Sequence, residues 1–264
     1  MVSLTAKTKD RFIKGIKKFQ PILEKAKKAD INESDTVTII TDMLSEVYGF
    51  DKYTNITSEF AIRGTYCDLA IKIGNDVSLL IECKAIGSDL KDAYVKQATD
   101  YAANEGIDWV VLTNGIEWKV FKMTFGKPVG RTLVYEFNFL ALSNRSQADL
   151  DMLYYLSVES ISKKNVGLYE LHSQKEIVNR FTIGCILLDE PVVAVVKREL
   201  KKLASGLKLT DDDVRQILAN EVLKREVVEG DECCLAKKKL TAQKRAAAKA
   251  TAKPKDELKE VATE

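Results

Sequence analysis

Histidine occurs once in 264 residues, at His172, and there are only five cysteines. A single His with no second ligand nearby reads as a structural residue, not as half of a catalytic or metal-binding pair. The cysteines are odd in number and lack metal-ligand spacing, which implies reduced thiols in a cytoplasmic protein. Only vicinal Cys233 and Cys234, in a polar stretch, read as reactive. No apolar run approaches the ~20 residues that span a bilayer, and the N-terminus lacks a signal-peptide apolar core. These two absences argue against a membrane or exported protein. No Gly-x-x-x-x-Gly-Lys-Ser/Thr phosphate loop is present, so the sequence carries no motor of that type. Charge of one sign is also lacking, with 41 basic against 39 acidic residues and a net charge of +2. Any nucleic-acid surface must therefore arise from segregation of charge, not from composition.

What the chain does have is apolar content of 45%, enough for a real core, and one stretch with chemical character, Gly64 to Lys84. Thr65 to Ile73 is rich in β-formers, Gly74-Asn75-Asp76 is turn chemistry, and Val77 to Cys83 is an apolar run, which together spell a β-hairpin. A loop over 74–76 sets Asp68 opposite Glu82 and Lys84 opposite Tyr66. Directly opposed side chains have Cβ atoms about 4.5–5.5 Å apart. Glu82 and Lys84 are two apart and share a face, whereas Leu79, Ile81 and Cys83 point the other way. Two carboxylates placed so closely repel one another. A divalent cation resolves the conflict, and Mg²⁺ is held by one or two carboxylates with water and substrate phosphate. A lysine alongside would orient or deprotonate a water and offset charge on a phosphorane-like transition state.

Asp68 followed by Glu82-Cys83-Lys84 resembles the PD-(D/E)xK nuclease superfamily, with Cys67 in place of the proline before the first acid. Gln97 and Tyr101 match its Gln-x-x-x-Tyr element. With Thr113-Asn114-Gly115-Ile116-Glu117-Trp118 downstream, the segment 35–140 resembles the N-terminal nuclease domain of type I restriction enzyme R subunits. That resemblance implies a restriction-endonuclease-like core. It also implies Mg²⁺, with Mn²⁺ as a substitute, held by Asp68 and Glu82, and an extra carboxylate from Glu46 or Glu59. Lys84 would act as the catalytic lysine, with Gln97 and Tyr101 orienting it or touching the DNA backbone. A core hydrogen bond between Gln97 and Tyr101 is the plainer alternative. The implied activity is a metal-dependent DNA endonuclease or exonuclease in restriction or phage defence. R subunits carry a translocase after this domain, so the chain would cut alone or borrow a recognition or motor subunit. Cutting both strands suggests a homodimer. A non-catalytic nucleic-acid-binding or assembly protein on the same fold is the competing reading.

Around this centre the sequence predicts an α/β fold, with a mixed central sheet flanked by helices and a C-terminal helical module. Residues 1–30 read as a basic helix on the core. Ile13, Ile16 and Phe19 lie on one stripe, and lysines form either a solvated face or a phosphate-contacting arm. Residues 31–145 form the nuclease-like domain. Its helix from about Val37 ends at Gly49, its first strand runs Tyr53–Ile62, and the helix Leu90–Glu105 carries Gln97 and Tyr101. A second hairpin turns at Asn114-Gly115, and Leu133–Phe139 forms an edge strand. Arg63 either touches a phosphate or covers the turn. Trp109 and Trp118 read as packing residues. Residues 146–228 form the helical module, in which Asp211, Asp212 and Asp213 are N-terminal helix charges and not ligands. Residues 229–264, rich in Lys and Ala, are expected to be disordered or loosely helical.

Overall fold

A computed structural model describes residues 3–62, 65–126, 128–204 and 206–251 of the chain. The chain divides into two compact units, 1–173 and 174–264. The first unit is built on a six-stranded sheet in sequence order: β1 (Ile56–Ile62), β2 (Thr65–Ile73), β3 (Asp76–Cys83), β4 (Trp109–Thr113), β5 (Glu117–Thr124) and β6 (Gly130–Asn138). All neighbours are antiparallel except β3 and β4. A parallel pair needs a crossover, and helix α3 (Asp92–Glu105) supplies it. The expected mixed α/β architecture is observed, with β6 at a sheet edge.

The sheet is covered on both faces, and the alternation of β3 assigns each residue to one of them. Leu79, Ile81 and Cys83 join Phe12, Ile16, Phe19 and Leu23 of α1 (Ala6–Ala29) and Ile40, Met43 and Leu44 of α2 (Glu33–Glu46). Leu80 joins Ala70, Val110 and Leu112, with Val95, Ala98 and Ala102 of α3. Full burial of a Phe, Leu or Ile side chain is worth about 1.5–3 kcal/mol. Four such residues on α1 make it part of the core despite its many lysines. Trp109 and Trp118 are both buried, as packing residues should be.

The β2–β3 hairpin has the register the sequence suggests, reached by another route. The turn is two residues, Gly74-Asn75, which pairs Ile73 with Asp76. A bulge between Ile71 and Lys72 then adds one residue, so Leu69 pairs with Ile81. A three-residue loop without a bulge gives the same pairing beyond that point. The downstream hairpin differs from the two-residue Asn-Gly turn expected. Thr113 pairs with Trp118, and Asn114 closes the four residues between with its side chain, its Oδ1 accepting from the N–H groups of Ile116 and Glu117. Gly115 sits at φ +84°, where a β-carbon is disfavoured.

After the sheet come α4 (Gln147–Tyr154), α5 (Val158–Ile161) and α6 (Val166–Ile177), and the second unit is helical, with α7 (Arg180–Leu187), α8 (Glu190–Leu203), α9 (Asp211–Ile217), α10 (Arg225–Val228) and α11 (Asp231–Thr251). The Thr210–Asp213 capping box is formed, in keeping with charges that serve a helix N-terminus. The stretch after 229 is more ordered than its composition suggests. Through residue 251 it forms α11, whose Cys233 and Ala236 are buried with Cys185 and flanked by Phe181 and Leu240. Cys233, Ala236 and Leu240 recur at helical spacing, and small side chains suffice because α7 approaches closely. Residues 252–264 and Arg63 lie outside the described residues.

In the first unit, α1 is locked to the chain after the sheet by a forked ion pair. Arg11 Nη1 and Nη2 donate to Glu159 Oε1 and Oε2 at 2.8 and 2.6 Å, Thr8 Oγ1 donates at 3.0 Å, and Arg11 Nε donates to the Val47 carbonyl at 2.8 Å. Burial alone would raise the Glu159 carboxyl; the Arg11 and Thr8 hydrogen bonds overcome it and lower its pKa from 4.5 to about 2. The pair therefore stabilises the fold fully above about pH 4.5, and the contribution is lost as pH falls towards 2. Glu159→Gln should lower stability to urea by about 1–3 kcal/mol at pH 7, with the gap to wild type closing by about pH 2. An equal gap at both pH values would show that the charge is not what matters.

Candidate metal and phosphate site

The site forms where β2 and β3 stop pairing. Their ladder reaches Leu69 and Ile81 and goes no further towards the open end. Beyond it, side chains take over the backbone's hydrogen bonds. Asp68 Oδ2 accepts the Cys83 N–H at 2.7 Å, and Cys67 Sγ donates to the Ile81 carbonyl at 3.3 Å. This gives Cys67 a structural task. Burial, then the charges of Glu82 and Asp68, push its thiol up to about 12, so it keeps the proton it donates.

Glu82 extends from the same end of β3 and is 4% exposed. Its Oε1 accepts from Lys84 Nζ at 2.9 Å, while Oε2 is buried with no hydrogen-bond partner among the described residues. A buried carboxylate oxygen without a partner is costly. Accordingly the Glu82 pKa is raised by burial first, and by the charges of Asp68 and Glu33, against the lowering effect of Lys84. Lys84 lies just past the strand, its N–H donating to the Thr113 carbonyl at 2.9 Å as the parallel ladder continues. Burial works against its charge, but the hydrogen bond to Glu82 and the charges of Glu82, Glu33 and Asp68 carry its pKa upward. Its ammonium also lies 5.6 Å from the centre of the Tyr94 ring.

Asp68, Glu82 and Lys84 are thus brought together as the hairpin predicts. Of the further carboxylates, Glu46 is placed elsewhere. It ends α2 in an ion pair with Lys18, whereas Glu33 begins that helix, 3.6 Å from Lys84. Thirteen residues of helix separate the two by about 20 Å. Glu33 is the α2 carboxylate at the site. Its signal in the sequence was only its place in a cap, Asn32-Glu33-Ser34-Asp35, and caps are read as helix chemistry. Glu59 is exposed on β1, between the paired Ser58–Leu69 and Phe60–Cys67, which is the ladder position facing Asp68. Its φ of +47° marks a local distortion there. Gln97 and Tyr101 fall on α3, but their side chains lie outside the described residues. Among the described residues no three His, Cys, Asp or Glu side chains converge as a cation-holding group.

The segment that carries Lys84 into α3 is pinned from three elements. Thr36 Oγ1 on α2 accepts the Ile86 N–H at 3.1 Å, Lys119 of β5 donates to the Leu90 carbonyl at 3.0 Å, and Asn114 Nδ2 donates to the Ser88 carbonyl at 3.0 Å. Asn114 is 5% exposed and joins the β4–β5 turn to the segment after the lysine. Gly87 in that segment has no room for a β-carbon, which would collide with Asp30.

Residues 38–141 match the family model of the type I restriction enzyme R protein N terminus (HSDR_N). The resemblance to that domain therefore stands on the segment holding Asp68, Glu82, Lys84 and Asn114, together with the positions of Gln97 and Tyr101. The match starts within α2 and ends just after β6, so α1, Glu33 and the second helical unit fall outside it. No curated protein and no solved structure matches the chain.

Two substitutions separate architecture from chemistry. Glu82→Gln removes a buried charge that Lys84 compensates at one oxygen only. Because burial raises the Glu82 pKa in the fold, stability to urea at pH 7 should be unchanged or higher by up to about 1 kcal/mol; a loss above about 2 kcal/mol would mark Glu82 as a structural ion-pair partner. Asn114→Ala leaves buried N–H and carbonyl groups unpaired and should cost about 2–3 kcal/mol. Asn114→Asp keeps the turn's acceptor and should recover part of that. Equal losses in the two variants would deny the turn hydrogen bonds their role.

Proposed function

We propose that this protein is a divalent-metal-dependent nuclease that hydrolyses phosphodiester bonds in DNA as part of a restriction or phage-defence system. The observation that carries the proposal is the buried Oε2 of Glu82 beside Asp68, without a hydrogen-bond partner among the described residues, at a strand end that also presents a lysine. Metal-free folding gives no return for that arrangement. A hard cation does, and carboxylate oxygens are the donors Mg²⁺ and Mn²⁺ prefer. Asp68 and Glu82 would hold the ion, with Glu33 or Glu59 as an outer carboxylate. When bound, the ion would polarise a phosphate oxygen and lower the pKa of a water.

The chain's own groups account for the remaining steps. The Lys84 ammonium, held by Glu82 and beside Glu33, favours its charged form. As a cation it orients the attacking water and offsets negative charge gathering on the phosphate oxygens. It is poorly suited to taking the water's proton. The Thr36, Lys119 and Asn114 hydrogen bonds fix the segment that follows the lysine, which limits the reorganisation needed during reaction. Gln97 and Tyr101, one turn apart on α3, would support Lys84 or the DNA backbone.

A non-catalytic DNA-binding or assembly protein is favoured by one observation, the lack of a third converging ligand among the described residues. Two carboxylates suffice for Mg²⁺, however. The five free cysteines suit a reducing cytoplasm, and no helix among the described residues is long and apolar enough to cross a membrane. A recognition or motor subunit, and a second copy for double-strand cutting, are the partners this activity would call on.

The test pairs calorimetric titration of Mg²⁺ and Mn²⁺ with cleavage of plasmid and single-stranded DNA. Wild type should bind metal and cut. Asp68→Ala should lose both, and Lys84→Ala should keep metal binding and lose at least about a hundredfold in rate. Wild-type-level cleavage by either variant would remove that residue from the site. Saturable binding of nucleic acid with no metal uptake would favour the non-catalytic reading.

A further inference from the structure

The charge of this chain is segregated, and most of the segregation lies on one helix. α1 carries nine cations and two anions among its 24 residues, a surplus of seven. The whole chain is only +2, so the remaining 240 residues sum to −5. At 3.6 residues per turn, Lys7, Lys14, Lys18 and Lys25 fall within about 40° of one another on α1, with Lys17 and Lys28 on one shoulder. All six are exposed, and Phe12, Ile16, Phe19 and Leu23 face the core. The row from Lys7 to Lys25 is about 27 Å long. Lys7, Lys14 and Lys18 also line an open groove beside Arg11, Gly15 and Glu46.

A lysine-rich helix face is commonly no more than a solvated surface. Two features separate this one. Lys7, Lys17, Lys25 and Lys28 make no ion pair among the described residues, and only Lys14 and Lys18 are engaged, with Asp10 and Glu46 on the surface. Exposed pairs of that kind are weak and exchange readily for a phosphate. The second feature is direction. The C-terminal cap of α1, Asp30, packs against Gly87, three residues past Lys84. Glu33, three residues after that cap, reaches Lys84 itself. The C-terminal end of α1 therefore lies beside the candidate site, and the lysine row on its outer face ends about one turn and a half before that point.

We infer that the lysine row of α1 is a track for the phosphate backbone of duplex DNA flanking the bond at Lys84. This rests on the nuclease reading and adds to it a second contact surface, outside the family match. A duplex presents one phosphate charge per ~1.7 Å of axis, so a 27 Å row spans several phosphates on one strand. The contacts are to phosphate alone, so the track supplies affinity and orientation without base preference.

The test is fluorescence anisotropy of a labelled 30-base-pair duplex against salt concentration, using the full chain with a chelator present to prevent cutting. The ridge variant is Lys7→Gln, Lys14→Gln, Lys18→Gln and Lys25→Gln combined. A control removes the same charge from exposed lysines of the second unit, Lys201, Lys208, Lys224 and Lys238. Each lost phosphate contact should reduce the slope of log K against log salt by about 0.9. The ridge variant should therefore lose about 2–4 from the slope and about tenfold or more in affinity near physiological salt, with the control within about 1 of wild type. Melting temperatures for both variants guard against misfolding. A ridge variant with the wild-type slope, or a control that falls equally, would overturn the track and leave the nuclease reading standing. A wild type that binds no duplex, with chelator or with Mg²⁺, would overturn both.

Discussion

A carboxylate buried at the point where two strands part is the constraint on which the rest of this structure depends. Glu82 has one oxygen held by Lys84 and the other with no donor among the described residues. Such a group is tolerated only if the surrounding backbone is otherwise satisfied and rigid. The fold supplies both. Where the β2–β3 ladder ends, Asp68 and Cys67 take over the hydrogen bonds of Cys83 and Ile81, and the parallel β3–β4 ladder carries Lys84 one residue further. The unfavourable charge sits on a scaffold with little freedom to avoid it. Sites for charged substrates and cations have this character, because preorganisation requires that the cost be met before the ligand arrives.

The contrast with Arg11 and Glu159 makes the point. There a half-buried carboxylate is forked by a guanidinium and receives a hydroxyl, and its pKa falls to about 2. At Glu82 the pKa moves the other way. One pair joins α1 to the chain beyond the sheet and serves the fold. The other leaves a charge poorly compensated. The two carboxylates have the same side chain and differ in how deeply the tertiary structure buries them and in the donors it brings to them.

The two sheet faces divide the labour in the first unit. The α1–α2 face holds the larger aromatic core, with Trp109 and Trp118 among its members. The α3 face is built from smaller residues, including Ala70, Ala98 and Ala102, which let the crossover helix pass close to the strand that bears Glu82. The family match covers this sheet and α3 but not α1, although α1 contributes four fully packed residues to the core and its C-terminal cap touches the segment after Lys84. The matched segment thus leans on a helix that it does not include.

The sequence by itself determined the elements and the central cluster. Alternation, turn residues and helix caps are local signals, and they located β2, β3, the crossover helix and the pairing of Asp68 with Glu82. The hairpin register was legible although the turn was misjudged, since a two-residue turn with a bulge and a three-residue loop place the open end alike. The tertiary structure alone decided which distant groups join that cluster. Glu33 and Glu46 lie on one helix and look equivalent in sequence; only the packing of α2 on the sheet brings the first to Lys84 and turns the second to Lys18. Asn114 read as a turn residue, and its second task, holding the Ser88 carbonyl, exists because β4 and β3 are neighbours. Local pattern encodes period and turn, because those depend on near neighbours. Contacts between residues 26 or more positions apart, such as these, depend on how whole elements pack, and no short window of sequence contains that information.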